Sequence, residues 1–150
     1  CLINFSLGES TKLGIYLTSN ETIRLIIGCP ILLVGLIFAF WSNYYLLEVG
    51  KGGPADGFNV TISPRSEKLV VVGPYKYTRN PMVLGAFLVY FSIGIFYNSF
   101  SCLILLVIIL LLMMLYLKRY EEKRLLKDFG DEFIEYKKKV PMLIPFLKFR

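Results

Sequence analysis

The chain has 150 residues, 55% of them hydrophobic, with a mean hydropathy of +0.59, which excludes an ordinary soluble domain and points to a membrane protein. It contains no histidine, and this removes Ser-His-Asp and Cys-His catalysis, histidine-ligated metals and haem, and histidine pH switches. The 17 Lys and Arg outnumber the 11 Asp and Glu, for a net charge of +6, but these charges cluster outside the apolar runs, so they suit an anionic lipid surface and give no support to nucleic-acid binding.

From Leu25 to Trp41 every residue is apolar, Gly or Pro, and Tyr44 to Leu47 extend the run to a length that crosses a bilayer at about 1.5 Å per residue. Trp41, Tyr44 and Tyr45 read as an interfacial aromatic belt, Pro30 as a kink, and Gly28 and Gly35, one heptad apart, as a closely packed face. Met82 to Tyr97 and Cys102 to Leu117 form a second and a third apolar run, with only Asn98 to Ser101 between them, which predicts a tight helical hairpin. The second run is short, about 24 Å if helical, so its start is expected in protein or headgroups rather than bare hydrocarbon. None of the three holds Asp, Glu, Lys or Arg, which argues against a pump or channel. Cys1, Cys29 and Cys102 share no C-x-x-C spacing, so no metal site or disulfide framework is expected.

Five basic residues, Lys51, Arg65, Lys68, Lys76 and Arg79, lie between the first and second runs, and ten more follow the third, whereas the hairpin tip has none. The positive-inside rule then places residues 48–80 and 118–150 together in the cytoplasm, with the stretch before Arg24 outside. The loop Glu48 to Pro54 is glycine-rich but matches no phosphate-binding fingerprint, and the Asn-x-Ser/Thr triplets at Asn4, Asn20 and Asn59 are assigned no role. Asn80 as N-cap and Pro81 as first helical residue start the second membrane helix, whose positive end beside Arg79 is suited to a carboxylate or other anion. After Leu117 the helix turns amphipathic, with Leu125, Leu126 and Phe129 on its apolar side. Gly130 is expected to stop it, and Asp131 to cap a short helix to Lys139 that buries Phe133 and Tyr136 and leaves Lys137, Lys138 and Lys139 to water or headgroups. Topology brings Glu121 and Glu122 to the membrane surface that carries Arg79. The fold class expected is all-α, an integral membrane helical bundle with about three transmembrane helices and a cytoplasmic amphipathic C-terminal segment.

Gly73-Pro74-Tyr75-x3-Arg79-Asn80-Pro81-Met82-Val83-Leu84-Gly85, followed after the hairpin by Glu121-Glu122-x2-Leu125-x3-Phe129-Gly130-x-Glu132-Phe133-x2-Tyr136-x3-Val140-Pro141, strongly resembles the isoprenylcysteine carboxyl methyltransferase and phospholipid methyltransferase superfamily. The resemblance covers roughly residues 48–145 and implies a membrane enzyme that moves a methyl group from S-adenosylmethionine to a lipid-like or prenylated acceptor. It places the family's Arg-His-Pro motif on Arg79, Asn80 and Pro81 and its Glu-Glu pair on Glu121 and Glu122, with Gly73, Tyr75 and Gly85 at flanking positions; it departs from the pattern at Asn80, where carboxyl methyltransferases carry His, and at Val83, where Tyr is common. On this reading Arg79 takes the cofactor carboxylate, Glu121 and Glu122 its ribose hydroxyls or amino group, and Tyr75 or Tyr77 a stacking contact, with Leu125 also at the pocket. Either glutamate is the nearest base if the acceptor must lose a proton. Arg79, Glu121 and Glu122 are thus the catalytic candidates. Residues 1–150 are read as a single domain, and because three spans are fewer than such enzymes usually have, further helices are expected upstream of Cys1. The alternatives are an NADPH-dependent membrane reductase of related fold, which would continue after Pro81 as Asn-Tyr-Phe-Gly-Glu, and a non-catalytic membrane scaffold.

Overall fold

A computed structural model describes residues 17–52 and 66–145, together with the backbone of 56–57 and 60–61; Cys1, Asn4, Pro54, Asn59 and Arg65 lie outside the described residues. Helix α1 runs from Glu21 to Glu48, continuous through Pro30. It starts at Asn20, whose Oδ1 accepts the Thr22 N–H at 3.0 Å, so this asparagine acts as an N-cap. The glycine-rich loop that follows holds a two-residue antiparallel ladder, β1 (Asp56–Gly57) with β2 (Val60–Thr61). A 3-10 turn at Gly73–Lys76 leads into α2 (Pro81–Phe96). Helix α3 spans Phe100–Tyr116, a π-helical turn covers Leu117–Glu121, and α4 covers Glu122–Lys139.

Helices α1 and α2 make the most extensive contact, and small residues set it. Gly28, Gly35 and Ser42, seven residues apart, are the buried positions of α1. A Cβ on Gly35 would sit 2.8 Å from the Val89 nitrogen, and one on Gly85 would sit 2.6 Å from the Ala39 nitrogen. The two backbones therefore touch, which favours dispersion where apolar lipid gives no hydrophobic push. Ser42 and Ser92 are fully buried and return their hydroxyls to the Ala39 and Val89 carbonyls of their own helices.

At the far end Arg24 Nη1 donates to the carbonyl of Phe96, the last residue of α2, at 3.1 Å. The predicted hairpin is present, but α3 starts two residues early because the Ser99 hydroxyl caps the Cys102 N–H at 3.3 Å. Large apolar side chains point outward along all three helices, among them Ile26, Leu33, Phe40, Tyr90, Leu105 and Leu112. Helix α1 and the continuous α3–α4 stretch are long and apolar enough to cross a membrane, with only 11% of each apolar window buried; α2 is a shorter apolar helix. This is an integral membrane helical bundle.

Beyond α3 a small polar-side core forms from Phe133, Tyr136 and Val140, with Leu69, Leu125 and Phe129 packed on it. The expected break at Gly130 is a kink inside α4, with φ +52 and ψ −125, a conformation that favours glycine. It turns the second half of the helix back so that Phe133 and Tyr136 face inward. Leu126 departs from expectation: it is 45% exposed, because it stands about 100° round the helix from Leu125.

Candidate active site

The segment after α4 straps the loop that precedes α2. Arg79 donates its backbone N–H to the Pro141 carbonyl at 2.9 Å. The Met142 carbonyl accepts from Asn80 Nδ2 at 2.9 Å and from the Thr78 hydroxyl at 3.3 Å. Asn80 thus stands at the N-cap position, but its side chain does not cap α2; the carbonyl of Met142 takes its amide instead. Pro81 occupies the first turn as predicted, where its missing N–H costs nothing. Tyr136 adds a further tie, donating its hydroxyl to the Tyr75 carbonyl at 2.7 Å. Burial pushes the Tyr75 hydroxyl up to about 12 and raises that of Tyr136 as well, so both stay protonated at neutral pH.

This bracing aims Arg79 at α4. Its Nη1 meets Glu122 Oε1 at 2.6 Å, and the two side chains are 9% and 10% exposed. Lys137, expected in solvent, instead reaches Glu122 Oε2 at 2.5 Å from beyond the kink. Burial works to raise the Glu122 carboxyl, but the Lys137 hydrogen bond and the Arg79 charge overcome it and hold the group below its ordinary value. With both oxygens engaged by cations, Glu122 is a poor proton acceptor. Its neighbour Glu121 pairs with Arg124, Oε1 to Nη2 at 2.5 Å. The Nε–H of Arg79 is buried and has no hydrogen-bond partner.

The two motifs line one cavity of about 240 Å³. Its polar wall carries Tyr75, Arg79, Asn80, Glu121, Glu122 and Asp128, and its apolar wall Leu46, Met82, Val83, Met113, Leu117 and Leu125. Pro81 also borders it. Three other residues singled out in the sequence do not. Gly73 has φ +61, and a Cβ there would strike the Tyr45 ring at 2.8 Å, so it packs the 3-10 turn onto α1. Gly85 serves the α1–α2 contact, and Tyr77 is 46% exposed away from the cavity. Sequence reasoning missed Thr78, Lys137 and the carbonyls of Pro141 and Met142. Nothing in a run of three lysines marks the first as the ion-pair partner, and backbone acceptors leave no mark in composition. No cluster of metal-ligating side chains occurs among the described residues.

Residues 23–132 match the phospholipid methyltransferase family. A protein-S-isoprenylcysteine O-methyltransferase of Xenopus laevis is 38% identical over 85 residues, 55% of this chain and 29% of the relative. The enzyme of the same name from Saccharomyces cerevisiae is 28% identical over 153 aligned positions, 98% of this chain and 59% of the relative. The chain therefore spans less than two thirds of the length of either relative. The family match takes in Arg79, both glutamates, α2, α3 and all but the first two residues of α1, and on that footing the chain belongs to the phospholipid methyltransferase family, within the superfamily its two motifs resemble.

Proposed function

We propose that the chain carries out S-adenosylmethionine-dependent methyl transfer to a lipid-like or prenylated acceptor at the cytoplasmic membrane face. The observation that carries this reading is the joining of the Arg79-Asn80-Pro81 corner to the Glu121-Glu122 pair in one cavity with a polar and an apolar wall. The residues fit the cofactor. Arg79 brings to the cavity wall a buried guanidinium whose Nε–H has no partner, a charge suited to an anionic group, and the first turn of α2, which no side chain caps, adds the positive end of a helix. Glu121 and Asp128 offer acceptors for hydroxyl or ammonium groups, and the Tyr75 side chain borders the same space.

When bound, S-adenosylmethionine supplies a methyl group on a sulfonium whose departure as a neutral thioether requires no acid. The protein's task is alignment and the exclusion of water. Arg79 holds the anionic end, while Glu122, ionised between Arg79 and Lys137, fixes the guanidinium rather than moving a proton. A carboxylate acceptor needs no base; for an amine or hydroxyl the remaining carboxylate on the motif is Glu121. The apolar wall, continuous with the lipid-facing helices, suits a long hydrocarbon tail. The distribution of Lys and Arg supports the cytoplasmic placement of residues 48–80 and of the C-terminal segment.

Calorimetric titration of the detergent-solubilised protein with S-adenosylmethionine tests the reading. Removing a charge-assisted contact costs about 1.5 to 3 kcal/mol, so Arg79→Ala and Glu121→Gln each weaken binding by about tenfold or more. Unchanged affinity in both variants rejects the pocket, and binding of NADPH in place of S-adenosylmethionine favours the reductase alternative.

A further inference from the structure

The ion pair between Arg79 and Glu122 uses only one N–H of the guanidinium. A carboxylate beside an arginine frequently forms two parallel bonds with it. Here the second oxygen, Oε2, is drawn to Lys137 Nζ at 2.5 Å, and Arg79 is left with Nη1 bonded and Nε buried without a partner. The guanidinium is nine-tenths buried, at 9% exposure, so this donor sits where an unmade hydrogen bond is costly. Two cations around one carboxylate leave one net positive charge beside the cavity.

Lys137 reaches this place only because α4 is kinked at Gly130 and its second half is anchored by Phe133 and Tyr136. Its own side chain is 48% exposed, and it is not among the residues that line the cavity. We infer that Lys137 is a positioning residue for the cofactor: by claiming one oxygen of Glu122 and balancing its charge, it leaves the positive charge of Arg79 uncancelled for the amino-acid carboxylate of S-adenosylmethionine. The inference rests on the cavity being the cofactor pocket. Without Lys137, Glu122 is left to Arg79 alone, and its charge cancels that of the guanidinium.

Two probes isolate the effect. S-adenosylhomocysteine keeps the amino-acid carboxylate, and 5′-methylthioadenosine keeps the nucleoside and thioether but lacks that carboxylate. Affinities for both are measured on the full chain in detergent for wild type, Lys137→Met, Lys137→Arg and Arg79→Lys. The expected result is that Lys137→Met binds S-adenosylhomocysteine about tenfold more weakly, in line with one charge-assisted contact, while 5′-methylthioadenosine affinity stays within about twofold. Lys137→Arg restores S-adenosylhomocysteine binding to within about threefold of wild type. Equal losses for both probes mean general damage to the pocket and overturn the inference. An unchanged Lys137→Met beside a weakened Arg79→Lys also overturns it but leaves the pocket standing. If neither variant loses affinity for S-adenosylhomocysteine, the pocket reading itself fails. Should Lys137→Met not yield a monodisperse protein, Lys137→Gln carries the same comparison.

Discussion

Replacing Glu122 with Gln tests the keystone of the site. The change keeps size and one acceptor oxygen but removes the negative charge between two cations. Breaking a buried ion pair by neutralising one partner costs about 3 to 5 kcal/mol. Lys137 is 48% exposed and rehydrates readily, whereas Arg79 is 9% exposed and does not. The lower end, about 3 kcal/mol, is therefore expected. On the scale of soluble chains of this size, that is a fall in Tm of about 6 to 12 °C. The difference depends on pH in a defined direction. Burial favours the neutral Glu122 carboxyl, but Lys137 and Arg79 prevail and hold it below its ordinary value of 4.5. Its contribution is thus complete above that value and is lost as pH falls through the depressed folded one. Thermal melts in detergent at pH 7 and at successively lower pH should show wild type and Glu122→Gln far apart at neutrality and converging in acid. A gap that is absent at pH 7, or that stays constant into acid, refutes the buried-pair account.

Gly85→Ala places a Cβ 2.6 Å from the Ala39 nitrogen, where backbone cannot give way cheaply, so a loss of about 1 to 3 kcal/mol is expected in thermal melts; an unchanged Tm refutes the close α1–α2 crossing. Tyr75 is raised by burial to about 12, so its stabilising contribution is complete below pH 10 and lost as pH rises through that value. Tyr75→Phe should accordingly lose less Tm than wild type between about pH 9 and pH 11, and a parallel decline contradicts the assignment. Deleting Arg119 from the π-helical turn should leave Tm within about 2 °C or raise it, whereas deleting Lys123 rotates Leu125 and Phe129 by about 100° off their core and should abolish cooperative melting. Equal damage from the two deletions refutes the register argument.

Much of the bundle was legible because lipid imposes a coarse grammar: long uncharged runs, charges at their ends, small residues where helices touch. The heptad from Gly28 to Gly35 marked the packed face, although its continuation to Ser42 was hidden, since a buried serine that bonds its own helix looks polar in sequence. Gly130 declared the kink, because a glycine between a polar helix and a new apolar pattern has few other reasons to be there. The strap from Pro141 and Met142 was not legible. It acts through carbonyl oxygens that every residue carries, and its contacts join positions 62 and 64 apart in sequence. The same holds for Lys137, whose role depends on which way the chain turns after Gly130.

The twin glutamates show most clearly where sequence stops. Adjacent residues on a regular α-helix stand about 100° apart, so only one of the two can stack over Leu117 and face Arg79. With an i to i+4 pattern that residue is Glu121. The π-helical turn changes the outcome: the Glu122 N–H bonds the Leu117 carbonyl across five residues, which sets Glu122 above Leu117, both buried, and turns Glu121 toward Arg124. One widened turn therefore divides the labour, giving one carboxylate to the arginine and leaving the other at the cavity wall. Such turns are rare and concentrate at functional sites. This one explains why a neighbouring pair, otherwise destabilised by like charge, occupies the place where helix leaves membrane: each glutamate faces a different cation.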